Sequence, residues 1–106
     1  MSLDEIQKQT DEWTGQFTPQ YWSAYQIYAR LGEEFGEVGR ELNHLYGVKK
    51  KKVDEKPSSL GQELSDLMFT ITCLANSHNI NLQEEWDRMM KDKHYGRDNT
   101  RFEKKV

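Results

Sequence analysis

Cysteine is nearly absent from this sequence. Of 106 residues only Cys73 is a cysteine, so no internal disulfide can form and a reducing, cytoplasmic setting is expected. Long apolar runs are missing too. None approaches the ~20 residues of a membrane-spanning helix, and the opening MSLDEIQKQT carries no apolar signal core, so no membrane association is expected. There is no broad basic face. The net charge is −3, with Lys and Arg gathered at 49–52 and 88–105, which argues against stable DNA or RNA binding while leaving short basic patches for phosphates. Apolar residues make up 35% of the chain and the mean hydropathy is −0.99. A core this lean suits one domain over 1–106 that completes its burial by forming a homo-oligomer.

What is present is helical periodicity. Leu3, Ile6, Thr10, Trp13 and Phe17 predict a short amphipathic helix over about 3–14, ending near Gly15. Thr18-Pro19 predicts the start of a long second helix, with Leu31, Phe35, Val38, Leu42 and Leu45 as its apolar stripe and Gly47 as its close. Gly32, Gly36 and Gly39 inside it suggest close approach of a neighbouring backbone. GVKKKKVDEKP reads as a polar loop. The stretch 58–77 has two charged residues, Glu63 and Asp66, on a helix whose stripe is Leu60, Leu64, Leu67, Ile71 and Leu74. It is expected to be central and covered on most sides, by other helices or by a partner. Ser59 with Gln62, and Asn81 with Glu84, predict the caps of the third and fourth helices. The last helix should stop near Gly96, leaving 97–106 as a charged, flexible tail. The fold class is all-α.

The chemistry lies in the acids. Glu34 and Glu37 are three apart on the second helix, and Glu63 and Asp66 repeat that spacing on the third. If the two helices form an antiparallel hairpin, the pairs can face each other, and carboxylates so gathered repel unless a cation sits between them. All-oxygen ligation favours a hard ion, Mg²⁺ ahead of Mn²⁺ and Ca²⁺. Glutamates on a helix are usually a solvated face, and Glu33, Glu34, Glu37 and Glu41 alone fit that reading. Glu63 and Asp66 fit it less well, because their helix is otherwise uncharged. His44, His78 and His94 do not complete the Glu-x-x-His pattern of a di-iron bundle.

Glu33-Glu34-x-x-Glu37, a spacer, then Glu63-x-x-Asp66 resembles the MazG-like all-α nucleoside triphosphate pyrophosphohydrolases, whose signature is EExxE followed by ExxD. Leu31 before the first motif, Leu67 and Phe69 after the second, and the basic tail extend the resemblance over about residues 20–102. It implies a four-helix MazG-like bundle completed by oligomerisation as a dimer or tetramer. It further implies Mg²⁺-dependent hydrolysis of an NTP, standard or modified, to NMP and pyrophosphate in nucleotide-pool cleansing. Mn²⁺ is the alternative ion. By position Glu34, Glu37, Glu63 and Asp66 match the family's metal ligands, and Glu33 matches the first acid, assisting water or a second ion. The five acids together are the catalytic set. Pyrophosphate as leaving group needs further cations: Lys91, Lys93, Arg97 and Arg101 in the last helix and tail are candidates, with Lys49 to Lys52 in the loop, and Arg97-Asp98 with Arg101 resembles the family's basic tail. Trp22, Tyr25 and Tyr28 offer faces for a base, although aromatics on a helix are more often core. Phosphoribosyl-ATP pyrophosphohydrolases share these acids and are an alternative reading. A non-catalytic helical interaction module with a structural metal site is another.

Overall fold

The computed structural model describes residues 1–55 and 58–105. Four α-helices follow one another: α1 (Leu3–Thr14), α2 (Ala24–Tyr46), α3 (Leu60–Ser77) and α4 (Leu82–Met89). The chain then widens into a π-helix, Met90–Arg97, and ends in a 3₁₀ turn, Asp98–Thr100. Helical winding thus passes Gly96, where the sequence predicts a stop. No strand occurs among the described residues, and none of their helices is long and apolar enough to cross a membrane.

Capping sets most of the starts. Ser2 and Glu5 form a reciprocal capping box on α1, the Ser59 hydroxyl accepts the Gln62 amide on α3, and the Asn81 side chain accepts the Glu84 amide on α4. The predicted start of α2 at Thr18-Pro19 is corrected. The helix begins at Ala24, behind a Ser23/Gln26 capping box. Residues before it fold back on α1 instead: Gln20 Nε2 donates to the Asp11 carboxylate at 2.9 Å, and the Tyr21 hydroxyl donates to it at 2.7 Å. These bonds back to α1, with the second capping box, outweigh the local Thr-Pro signal. At its other end α2 closes on Gly47 as predicted, where an added Cβ would stand 2.7 Å from the Asn43 side-chain oxygen.

α2 and α3 run antiparallel. Glu41 meets the start of α3 through Lys51 and Ser58, Glu34 meets Glu63 and Asp66, and Ile27 shares a cavity wall with Thr70 and Cys73. α1 packs against α3 and α4, clasped by two side-chain amides. Gln7 Nε2 donates to Asn76 Oδ1 and to the Ile80 carbonyl, both at 2.8 Å. Gln7 Oε1 accepts the Leu82 amide at 2.9 Å. Asn76 Nδ2 donates to the Gln7 carbonyl and to the Tyr21 hydroxyl, both at 3.0 Å.

Both central helices turn polar residues inward. The buried line of α2 is Ile27, Glu34 and Glu41, seven apart and therefore on one face. Its predicted apolar stripe looks outward, with Phe35, Leu42 and Leu45 exposed. α3 buries Glu63, Thr70, Thr72 and Ala75, while Leu64, Met68, Phe69 and Ile71 remain exposed. The buried threonine hydroxyls donate back to the helix, Thr70 to the Asp66 carbonyl at 3.0 Å and Thr72 to the Met68 carbonyl at 2.7 Å. Within one chain, then, α3 is not covered on most sides. Nor does any backbone approach the glycines of α2: a Cβ at Gly32, Gly36 or Gly39 would meet no atom within 4 Å. The radius of gyration is 17.4 Å, against about 13 Å for a compact chain of this length.

Candidate functional site

The inward acids of α2 and α3 converge. Glu34, Glu63 and Asp66 each bring one carboxylate oxygen to within 4.8 Å of the others. Glu34 and Glu63 are buried and Asp66 is exposed. Burial pushes the Glu34 carboxyl up, the Arg30 charge pulls it back, and the charges of Asp66, Glu63 and Glu37 add to the upward push. Arg30 Nε lies 3.0 Å from Glu34 Oε1. The Ser58 hydroxyl donates to Glu63 in a short hydrogen bond. Three oxygen donors at this separation, two of them desolvated, fit a hard divalent ion in charge, ligand type and size.

The remaining sequence-nominated acids stand apart from this trio. Glu37, half-exposed, lies one turn along α2 with Arg40 Nη1 at 3.9 Å. Glu33 is exposed and accepts from Arg30 Nη1 at 2.8 Å. Glu41 is buried and committed to Lys51, whose ammonium donates to both of its oxygens at 2.8 and 2.7 Å. Lys51 also donates to the Ser58 carbonyl at 3.3 Å.

Two cavities share Glu34 and Asp66 of the trio. One, about 450 Å³, is mainly aromatic, with Trp13, Phe17, Trp22 and Phe69 in its walls and Arg30, Glu34 and Asp66 at one end. Trp13 stacks obliquely on Phe17 at 5.0 Å and edge-on to Phe69 at 5.9 Å. The other, about 940 Å³, is a charged groove holding the same three residues with Glu63, Glu37, Arg40 and Lys51. Arg40 is tied there to Glu55. Of the three nominated aromatics Trp22 lines the first cavity, whereas Tyr25 and Tyr28 are exposed and are not among its walls. Trp13 and Phe17 escaped notice because their spacing four apart also fits an ordinary core face. Arg30 carried a readable signal: it precedes Glu33 by three residues and Glu34 by four.

Lys91, Lys93, Arg97 and Arg101 belong to neither cavity. They follow α4, and Arg97 and Arg101 pair with Asp98 at 3.0 and 3.3 Å. Among the described residues the π-helix makes its main contacts with α4 and the 3₁₀ turn.

Known proteins resemble this chain in sequence and in fold. A family model, described as the MazG nucleotide pyrophosphohydrolase domain, matches residues 23–102. The uncharacterized protein YpjD of Bacillus subtilis is 43% identical over 104 residues, covering 98% of this chain and 93% of its own length. A crystal structure of YPJD from that organism, there proposed to be a pyrophosphatase, superposes with a TM-score of 0.78 at 42% identity, over 89% of this chain and 96% of that one. The Bacillus-conserved MazG protein, described as a nucleotide pyrophosphohydrolase, superposes with a TM-score of 0.74 at 37% identity, over 87% and 88% of the two chains. The aromatic wall from Trp13 to Trp22 precedes the residues that the family model matches.

Proposed function

Because this chain belongs to the MazG nucleotide pyrophosphohydrolase family, we propose that it hydrolyses a nucleoside triphosphate, standard or modified, to NMP and pyrophosphate with Mg²⁺. Clearing unwanted nucleotides from the cytoplasmic pool is the corresponding role. One observation carries the reading. Glu34 and Asp66 of the trio line both the aromatic cavity and the charged groove, and Glu63 lines the groove, an arrangement that suits a nucleotide's two unlike halves.

The trio would hold Mg²⁺, with Mn²⁺ as substitute, and Glu37 on the groove wall would complete the set as a fourth carboxylate. Such an ion, when bound, neutralises phosphate charge and lowers the pKa of a coordinated water. The chain's own side chains do the rest. Trp13, Phe17, Trp22 and Phe69 take the base and exclude water from it. Arg40 and Lys51 supply positive charge along the groove, where the terminal phosphates would lie. Glu33, exposed and paired with Arg30, is the acid left to accept a proton or to approach a second ion.

Lys91, Lys93, Arg97 and Arg101 enter through a second copy. The outward apolar faces of α2 and α3 and the extended shape support a homo-oligomer, dimer or tetramer. In it the tail of one copy would reach the groove of another and hold the leaving pyrophosphate. The net charge of −3 supports no stable binding to DNA or RNA.

The test incubates the purified chain with standard and modified NTPs in Mg²⁺, Mn²⁺ or EDTA, in water enriched in ¹⁸O. The expected products are NMP carrying the label and unlabelled pyrophosphate, formed only with a divalent ion. NDP and inorganic phosphate as primary products would overturn the reading, as would no turnover of any NTP.

A further inference from the structure

Arg30 lines both cavities and is bonded to the most buried acid of the trio. The pair is lopsided: the Glu34 side chain is 4% exposed and that of Arg30 is 46% exposed. The anion is fixed by the packing around it, whereas the cation stands on a flexible stem with room to swing. Nε serves Glu34 at 3.0 Å and Nη1 serves Glu33 at 2.8 Å. A guanidinium carries five N–H donors, so Arg30 has capacity for another acceptor without leaving Glu33.

Without an ion, three carboxylates with oxygens within 4.8 Å repel one another, and among the described residues Arg30 is the cation paired with this cluster. A divalent ion at the trio would need the same Glu34 carboxylate. Arg30 and the ion therefore compete for one anion. Resting on the pyrophosphohydrolase reading above, we propose that Arg30 is an exchangeable counter-cation. It neutralises Glu34 while no ion is bound, and it swings to the nucleoside-proximal phosphate once an ion has taken Glu34.

Position supports the second half. A nucleotide with its base in the aromatic cavity and its terminal phosphates in the groove places its first phosphate at the junction, where Arg30 stands. The planar fork of a guanidinium matches two phosphate oxygens, which an ammonium cannot do. Glu33 acts as a positioning residue, steering the guanidinium through its contact with Nη1.

The experiment titrates Mn²⁺, followed by its electron paramagnetic resonance, into the full-length parent, Arg30→Gln and Arg30→Lys without nucleotide. It then measures binding of AMP, CMP, GMP and UMP at saturating Mn²⁺. Arg30→Gln should bind Mn²⁺ about threefold to fivefold more tightly than the parent, the range expected when a partly exposed ion pair no longer competes. Arg30→Lys should keep the parental Mn²⁺ affinity within about twofold, because the competing charge remains. Both variants should bind the parent's preferred monophosphate about tenfold more weakly, as loss of a charge-assisted bidentate contact implies. Should Arg30→Gln fail to fold by circular dichroism, Arg30→Lys decides alone, through unchanged Mn²⁺ affinity with weakened monophosphate binding. Parental Mn²⁺ affinity in Arg30→Gln, or parental monophosphate affinity in Arg30→Lys, overturns the proposal. The Mn²⁺ titration needs no nucleotide, so a parent that hydrolyses no NTP defeats the functional reading on separate evidence from a failure of the exchange.

Discussion

The ammonium of Lys51 grips both oxygens of the buried Glu41 carboxylate, at 2.8 and 2.7 Å, and so pins the loop after α2 against the groove. Side-chain exposures of 15% for Lys51 and 6% for Glu41 place this pair largely out of water. Removing one partner of such a pair leaves an uncompensated charge. Lys51→Met should therefore cost about 3 kcal/mol of unfolding free energy, read by urea denaturation in EDTA. Lys51→Met with Glu41→Gln should recover much of that loss. Equal stability of parent and Lys51→Met would mean that Glu41 is solvated after all.

Asp66 offers the opposite sign. Its carboxylate adds to the repulsion within the trio, so Asp66→Asn in EDTA should melt at the parental temperature or above it. Saturating Mg²⁺ should stabilise the parent by about 2.7 kcal/mol when the ion is at a hundred times its dissociation constant. The variant should lose most of that gain and nearly all turnover. Differential scanning fluorimetry across a Mg²⁺ series makes the comparison, and an Asp66→Asn protein that responds to Mg²⁺ like the parent would remove Asp66 from the ligand set.

A pH signature follows from Glu34. Burial, reinforced by the neighbouring acids, raises its folded-state pKa above the ordinary 4.5, so between those two values, and not above them, the folded chain holds a proton that the unfolded chain has released. The metal-free parent should lose stability as pH rises from 4.5 through that raised value and level off above it. Glu5, Glu55 and Asp98 are shifted the other way, so the measurement is a difference curve between parent and Glu34→Gln. That difference should tilt towards the variant with rising pH. A flat curve would mean that the Glu34 carboxyl is not raised by folding.

Much of the fold is legible because caps are local. Ser59/Gln62 and Asn81/Glu84 announce helices that the structure contains. Thr18-Pro19 misleads because its competitor, the bonding of Gln20 and Tyr21 to Asp11, joins residues on separate elements. Periodicity likewise identifies the apolar stripes of α2 and α3 but not which way they face. Glu33 and Glu34 are separated by about 100° of helix rotation, and only the packing of α3 makes one exposed and the other buried. The motif spacing located the acids. The separation of Glu37 from the trio, and Arg30 as its counter-charge, depend on side-chain directions that spacing does not encode.

The aromatic wall predicts a split between binding and turnover. Trp13→Ala should raise KM about tenfold, in line with roughly 1–3 kcal/mol per stacked base, while kcat changes less than threefold. Steady-state kinetics on the best substrate provides the reading. An unchanged KM would place the base elsewhere.

Sharing of sites between copies has its own test. Arg97→Gln and Asp66→Asn should each be nearly inactive alone. If the tail of one copy serves the groove of another, co-refolding the two variants in equal amounts should restore about a quarter of parental activity in a dimer, since half the assemblies are mixed and each of those has one intact site. No recovery in mixed assemblies confirmed by native mass spectrometry would confine each site to one chain.

The amide clasp between Gln7 and Asn76 bears on how such a protein can change. Sliding α1 by one turn along α3 would break its bonds together, so α1 cannot be shifted in small steps to widen or narrow the aromatic cavity. Its dimensions can be altered by replacing Trp13, Phe17 or Trp22, all of which precede α2. The acids Glu34, Glu63 and Asp66 lie beyond them, on helices that such replacements leave in place. Under the proposed function, three of the side chains that would shape the fit are thereby separated along the chain from the acids that would hold the ion, with Phe69 alone of the wall sharing their helix α3.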